Sequence, residues 1–578
     1  MALRTLRTLD PIRTSYLTAM RSRSSSVRVR IRLLALGSAW TLAAGSAGAQ
    51  TVAGAGDDAI PIAKGSVRIR VGGLWNDWDA VFADSAGTTR RRALLGGVGR
   101  QGLGTSSLTG LQPVESAIRD LTGLPDFTLS LGTLEARGDV RQSSAPIFVD
   151  VGVTRRLSIG VLVPYVESRD NSVLVLNRTG ANVTVGANPA YGSTTGAASR
   201  VANGTLLREI ARARAGLTAE VARCAPAGAT GCDAIRANPT GAQQLLARAL
   251  QTQGSISTIY GDSLRGGSAV VPFRATLLGE FINGRVSTLR TAFEEFGITA
   301  MGAASLPVGA TVAYGPGGLA DVAGDSAFGL GYRRLGNTRR AGIGDIDLTA
   351  SFLLFDSFAA NQRRRLTSSA RALRSVVSVG WRFGSAGADD ATDAFDVAIG
   401  DGANGLLARS TTDLVLNRSL WMSATIRGVK PFADDRIVAV PLRNDSTLFS
   451  AFGFAPARRE LGTRVEVEVA PRYAFGDFFG LSAAYLYRRT GESTLDAGSE
   501  TSNVAPALFR SVTPPSTFQA ASMGVSFSTL ASYVRNRSRL ALEVIFTHTM
   551  PITASGGLVP AVSTDRLELR VYTGFPRR

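Results

Sequence analysis

A chain of 578 residues with 64 Gly and 22 Pro has room for several ordinary domains or one very large one. Its formal charge of +18 points to an anionic partner, but eight Arg and one Asp lie in residues 1–49; from position 50 onward 55 basic residues face 44 acidic ones, a net of +11. Apart from Lys64 and Lys430 the basic residues are all Arg, scattered among Asp and Glu without a stripe of interleaved aromatics, which argues against nucleic acid as a partner.

At the N-terminus, Arg21, Arg23, Arg28, Arg30 and Arg32 precede an apolar stretch at 33–44 and the small-residue sequence Ala47-Gly48-Ala49. That pattern predicts a secretory signal peptide over 1–49, followed by an N-terminal segment at 50–66. After Gln50 no run of 18 apolar residues occurs, so spanning helices are not expected. The exported chain is therefore either soluble or a β-barrel, whose signal is much weaker per segment.

Alternation begins at 67–78, with Arg68 and Arg70 on one parity and Val67, Ile69 and Val71 on the other. A Gly/Thr/Ser-rich stretch runs to about 126, and strands follow at 139–154 and 157–169, joined by a tight turn at Arg155-Arg156; Pro146 predicts a bend or bulge in the first of them. Residues 170–341 break the pattern and are expected to form a long loop insertion. Within it Leu206, Leu207, Ile210, Ala213, Leu217 and Val221 recur at helical spacing, as do Leu245, Leu246 and Leu250, which predicts a helical hairpin at about 204–253. Cys224 and Cys232, the only cysteines, sit between its arms; they form either a disulfide closing a short loop or two separate thiols. Residues 270–340 mix helix and strand signals.

Strands return at 344–356, where Asp345 and Asp347 share one parity, and continue at 371–384, 411–416, 419–430, 463–475, 480–489, 518–530, 538–549 and 565–575. The strictest alternation is Arg464-Val465-Glu466-Val467-Glu468-Val469, and in the last strand Glu568 and Arg570 oppose Leu567, Leu569 and Val571. The segments make twelve crossings, an even number, and their connections mostly alternate short and long; the exception is 357–370, where a short turn is expected. A soluble sandwich has no reason to sort its loops in this way. The expected fold is all-β: a transmembrane antiparallel β-barrel of about 12 strands, within a range of 10 to 14, spanning 67–578 in the bacterial outer membrane. Its lumen is expected to be lined by Arg68, Arg70, Asp345, Asp347, Glu466, Glu468, Glu568 and Arg570, with the apolar parity facing outer-membrane lipid.

The segment Val151-Gly-Val-Thr-Arg-Arg-Leu-Ser-Ile-Gly-Val-Leu-Val-Pro-Tyr-Val166 resembles the strand–turn–strand unit of phenol meta-pathway outer-membrane barrels, which are distantly related to FadL-like transporters; Gly342-Ile-Gly-Asp-Ile-Asp-Leu348 resembles a strand start of the same proteins. The resemblance implies a barrel that passes hydrophobic or aromatic compounds, and it implies no ligand-binding residue.

No arrangement of enzyme groups stands out, and no cofactor or metal is expected. The single histidine, His548, excludes a multi-histidine metal site, and Glu294-Glu295 diverge in any regular structure. Asp389, Asp390, Asp393 and Asp396 lack the spacing of a calcium loop, and no lysine follows the glycines at 315–318. Two functions follow from the pattern: a channel or transporter for small hydrophobic or amphipathic compounds, or a surface scaffold or adhesion barrel binding a protein partner through its helical insertion.

Overall fold

The structure, a computed structural model, describes residues 59, 62–85, 88–94, 103–106, 108–176, 182–191, 196–314, 337–357, 371–387, 397–417, 419–439, 454–497 and 510–574. Twelve long strands form the wall: β1 (Val67–Trp78), β2 (Leu134–Gly152), β3 (Leu157–Leu176), β4 (Ile346–Asp356), β5 (Ala372–Phe383) and β6 (Gly405–Val415). The second half is β7 (Leu420–Pro431), β8 (Arg464–Phe475), β9 (Phe479–Thr490), β10 (Ser516–Ser528), β11 (Leu542–Ser555) and β12 (Ser563–Thr573). Each pairs antiparallel with its neighbours in sequence, and β1 pairs with both β2 and β12, so the sheet closes.

Closure is what a chain in hydrocarbon requires, because it leaves no unpaired strand edge. The alternation fits it. Along β8, Val465, Val467 and Val469 are 41%, 37% and 37% exposed on the outside, while Glu466 and Glu468 are 1% and 4% exposed inside. Ile69, Ile159, Phe352, Ile426, Val525 and Leu569 extend the exposed apolar face around the circumference. Among the described residues no helix is long and apolar enough to cross a membrane. A closed barrel with a greasy exterior and charged interior is a protein of the bacterial outer membrane.

Prolines mark where the ladder gives way. β1 and β2 lose register contact between Val71↔Ile147 and Leu74↔Ser144, opposite Pro146, whose ring nitrogen cannot donate. β8 and β9 do the same between Val469↔Tyr485 and Arg472↔Ser482, at Pro471. In β11 the register against β10 shifts between Gln519 and Ala520, beside Pro551.

The connections after β2, β6 and β8 are tight turns and lie at the end of the barrel where β1 starts and β12 finishes, which is the periplasmic end; those after β4 and β10, the latter carrying a short helix at Leu530–Val534, lie at the same end and are longer, and the longest connections are outside. The long connection after β3 is shorter than the expected 170–341. β3 runs on to Leu176, and Thr338–Ile343 pairs with its outer part, so both edges of that segment belong to the wall.

Helices cap the outer ends of β1–β3. They are α1 (Gln112–Thr122), from the β1–β2 connection, and α2 (Ala197–Cys224), α3 (Asp233–Ala237), α4 (Pro239–Tyr260) and α5 (Leu277–Glu294), all between β3 and β4. The expected hairpin at 204–253 falls on α2 and α4, and the Cys224–Cys232 disulfide ties the end of α2 to the start of α3. Asn238 caps α4 by accepting from the Gly241 N–H at 2.8 Å, with Pro239 at the first turn. Leu206, Ile210 and Leu217 of α2 pack with Ile118, Ile256, Ile259 and Phe293 in one dry core that continues into Trp78, Val140 and Leu176 of the strands. Most of the helical stripe therefore packs within the cap and against the wall, while Leu250 of α4 stays exposed.

Candidate functional site: the barrel interior

Alternate residues of the strands point inward, and on most strands they include charged side chains, β10 with Phe518, Ala520 and Ser522 being an exception. On one wall, Arg68 and Arg70 of β1 approach Asp150 of β2 at 2.8 and 3.5 Å, and the Arg70 guanidinium lies 3.6 Å from the centre of the Phe148 ring. Glu568 of β12 sits between Arg566 and Arg570; Arg570 Nε donates to it at 2.6 Å. Glu543 of β11 lies 3.7 Å from Arg570 and accepts from the Tyr572 hydroxyl at 2.6 Å.

The facing wall carries a second network. Arg382 of β5 forks onto both oxygens of Asp347 at 2.8 and 2.9 Å. Arg427 of β7 donates to Glu468 at 3.1 Å, and Arg488 of β9 donates to Glu466 at 2.6 Å. All eight residues expected from parity to line the lumen have side chains that face inward and are largely buried: Arg68, Arg70, Asp345, Asp347, Glu466, Glu468, Glu568 and Arg570. Desolvation of so many charges is tolerable because all but Asp345 meet an opposite charge, and Asp345 is held by backbone N–H donors.

At the outer mouth residues 397–402 of the β5–β6 connection fold inward. Val397, Ala398 and Ile399 are 1%, 5% and 3% exposed, and Gln142 of β2 donates to the Ala398 carbonyl at 3.2 Å. Asp345, fully buried, accepts from the N–H groups of Ala386, Asp401 and Gly402 at 2.9–3.2 Å. The Asp401 carboxylate accepts from Arg382 at 3.2 Å and from Arg464 of β8 at 2.8 Å. Gly402 turns the backbone at φ 64°, a conformation that disfavours a side chain. The loop thus touches strands from β2 to β8 and crosses the barrel.

A four-stranded sheet beyond the wall holds the loop from above, built from Asp434–Ala439, Phe454–Glu460, Ser493–Ala497 and Arg510–Thr513. Arg459 donates to the Asp401 carbonyl at 2.7 Å and Arg436 to the Gly402 carbonyl at 2.6 Å. Both arginines are positioned by Asp434, which accepts from Arg459 at 2.7 and 2.9 Å and from Arg436 at 2.9 Å. Burial pushes the Asp434 carboxyl up, but the two guanidiniums outweigh it and hold the group below the usual carboxylate range. A carboxyl lowered on folding stabilises fully above its unfolded value of about 3.9, and that contribution is lost as pH falls through the lowered value. Protection of the amides at 397–402, taken relative to their intrinsic exchange rate at each pH, is therefore expected to fall as pH drops below about 4, and Asp434→Asn is expected to show low protection without that step.

At the periplasmic mouth the N-terminal segment enters the lumen. Ala59 is fully buried and its N–H donates to Asp413 of β6 at 2.9 Å; Arg374 and Ser423 donate to the same carboxylate at 2.8 and 2.6 Å. Ile62 and Ala63 follow, 5% and 6% exposed. A Cβ at Gly152 would lie 2.0 Å from the Ala63 carbonyl oxygen, so only glycine lets the segment pass there.

Between the two obstructions lies a cavity of about 100 Å³. Phe148, Leu162, Leu407 and Val429 give it apolar surface, and Asp347, Arg382, Arg427, Arg464 and Glu466 supply charge. Neither the inward loop nor the entering segment carries a period-two pattern, so neither is legible in the sequence as part of the lumen. The one available signal was Asp345, an acid on the lumen parity just ahead of β4.

No family model matches the sequence and no curated protein does, so the phenol meta-pathway resemblance finds no family-level counterpart. Among solved structures the chain is similar to an outer membrane channel from Pseudomonas putida F1, at 9% identity over 90% of this chain and 100% of that one, TM-score 0.37. It is similar to the transport unit of the autotransporter AIDA-I from Escherichia coli, at 6% identity over 93% and 98% of the two chains, TM-score 0.32. It is also similar to the Pseudomonas putida toluene transporter TodX, at 11% identity over 88% and 89%, TM-score 0.25.

Of the other residues singled out from sequence, His548 faces outward and pairs with Asp565 at 2.7 Å. Glu294 lies at the end of α5, 3.7 Å from Arg290. The signal segment, the glycines at 315–318 and Asp389, Asp390, Asp393 and Asp396 lie outside the described residues.

Proposed function

We propose that the barrel is an outer-membrane channel for small hydrophobic or amphipathic compounds, which pause in the chamber between the inward loop and the N-terminal segment. The observation that carries this reading is the chamber's lining. Phe148, Leu162, Leu407 and Val429 offer apolar contact beside the paired charges of Asp347–Arg382 and Arg427–Glu466, a surface suited to a compound with one greasy and one polar end. A scaffold role for the helical insertion has less support, because Leu206, Ile210, Leu217 and Leu245 of its apolar stripe are already buried in the cap and only Leu250 of the named positions stays well exposed.

The gate in this reading is the loop, and Asp401 is its main anchor to Arg382 and Arg464. In proteoliposomes, Asp401→Ala is expected to raise the influx of a small amphipathic aromatic by roughly an order of magnitude, since a buried charge-assisted pair is worth several kcal/mol to the closed arrangement. Leu407→Arg is expected to lower it by obstructing and charging the chamber. Heat-modifiable migration in gels verifies that each variant is folded. Equal and negligible flux through wild type and both variants would reject transport.

A further inference from the structure

The outward face of the wall is apolar through most of its height, yet at its outer edge three arginines stand side by side. Arg141 of β2 is directly opposite Arg169 of β3, and Arg169 is directly opposite Arg339 of the short strand Thr338–Ile343. Their side chains are 67%, 54% and 65% exposed. Like charges directly opposite one another on a sheet are unfavourable unless a counter-charge sits among them. Three carboxylates stand beside them, each meeting the guanidiniums through one edge: one oxygen of Glu167 accepts from the Nε of Arg169 at 2.5 Å and of Arg339 at 2.8 Å, while the Nε of Arg141 lies 3.5 Å from Asp139 and 3.9 Å from Asp77. Among the described residues no other protein group bonds these three side chains, so their Nη edges are open to an external anion.

Their height on the barrel identifies that anion. Asp77, paired with Arg141, lies one outward position beyond Trp75, which is 49% exposed; Tyr165, 53% exposed, lies two outward positions below Arg169. Exposed aromatics at a strand's end mark the border of the hydrocarbon. Strand tilt of about 40° inclines a cross-strand row by roughly 3 Å per strand, so the three guanidiniums stay within the depth of a headgroup layer. We propose that Arg141, Arg169 and Arg339 form a docking site for the phosphate groups of outer-leaflet lipid. Phosphate chemistry fits because a guanidinium fork grips it through two parallel N–H bonds, and neighbouring forks can share one phosphate or take two.

The test uses the full-length protein in neutral vesicles doped either with lipid A, a diphosphorylated glycolipid, or with the same lipid after removal of its phosphates. Wild type is expected to retain the phosphorylated lipid on purification, and the triple variant Arg141→Gln, Arg169→Gln, Arg339→Gln to bind it roughly a hundredfold more weakly, each arginine at a charged surface contributing about a factor of five. A control altered at Arg155→Gln and Arg156→Gln, in the periplasmic turn, is expected to bind like wild type. If the triple variant does not fold, Arg169→Gln alone is expected to cost about fivefold in the same assay. Equal retention by wild type and variants overturns the proposal. So does equal retention of the dephosphorylated lipid, or inorganic phosphate binding as tightly as the lipid.

Discussion

Replacing Glu568 by alanine is expected to destabilise the barrel by about 3–5 kcal/mol, the cost of stranding buried charge without its partner. Glu568 is 3% exposed and lies between Arg566 and Arg570, each 2% exposed. With the carboxylate gone, two guanidiniums face each other across the lumen side of β12, with Arg70 of the neighbouring strand directly opposite Arg570. Water cannot readily reach either to compensate. A triple variant, Arg566→Met, Glu568→Leu, Arg570→Met, removes all three charges and is expected to lose much less, because a buried ion pair replaced by apolar residues of similar volume is often neutral. Glu543 would keep the Tyr572 hydroxyl as its donor. Denaturant unfolding in lipid vesicles measures both. A single variant no less stable than the triple would show that these charges are hydrated rather than paired.

The wall was legible in sequence because a lipid-facing barrel writes its two environments on alternate residues. At 464–469 every second side chain is an ion and every other one a valine, and the structure puts them on opposite faces. Where one face is less extreme, boundaries slipped. The strand expected at 411–416 begins at Gly405, because Leu406 and Leu407 put apolar side chains on both parities and blur the alternation. The cap was legible in part. α2 and α4 show the 3.6-residue spacing, whereas α1 lies in a stretch rich in Gly, Thr and Ser and α5 in one of mixed signals. What closes the mouths was not legible at all. The bonds from the Asp401 and Gly402 backbones to Asp345 join positions 56 and 57 apart, and Ala59 reaches Asp413 across 354. Such contacts depend on the closed wall, and local periodicity carries no trace of them.

One residue along from Glu568, Leu569 tests the opposite face of the same strand. It is 42% exposed on the outside, between Val71 of β1 and Val544 of β11, and two outward positions from Asp565, whose pairing with His548 marks the outer border. That places it near the middle of the apolar belt. Leu569→Arg is expected to destabilise the folded barrel by about 2–4 kcal/mol, the cost of a guanidinium at the bilayer midplane. Arginine at Thr573, at the periplasmic end of the strand, is expected to cost about 0–1 kcal/mol, because the side chain reaches the headgroups there. The depth dependence is the discriminating feature. A soluble sheet would accept arginine at Leu569, Val571 and Thr573 with similar small penalties, since all three would face water. Only an outer surface immersed in hydrocarbon makes the penalty peak at its centre. The two substitutions on neighbouring residues thus separate two causes of stability. At 568 the harm comes from removing a charge, and at 569 it comes from adding one.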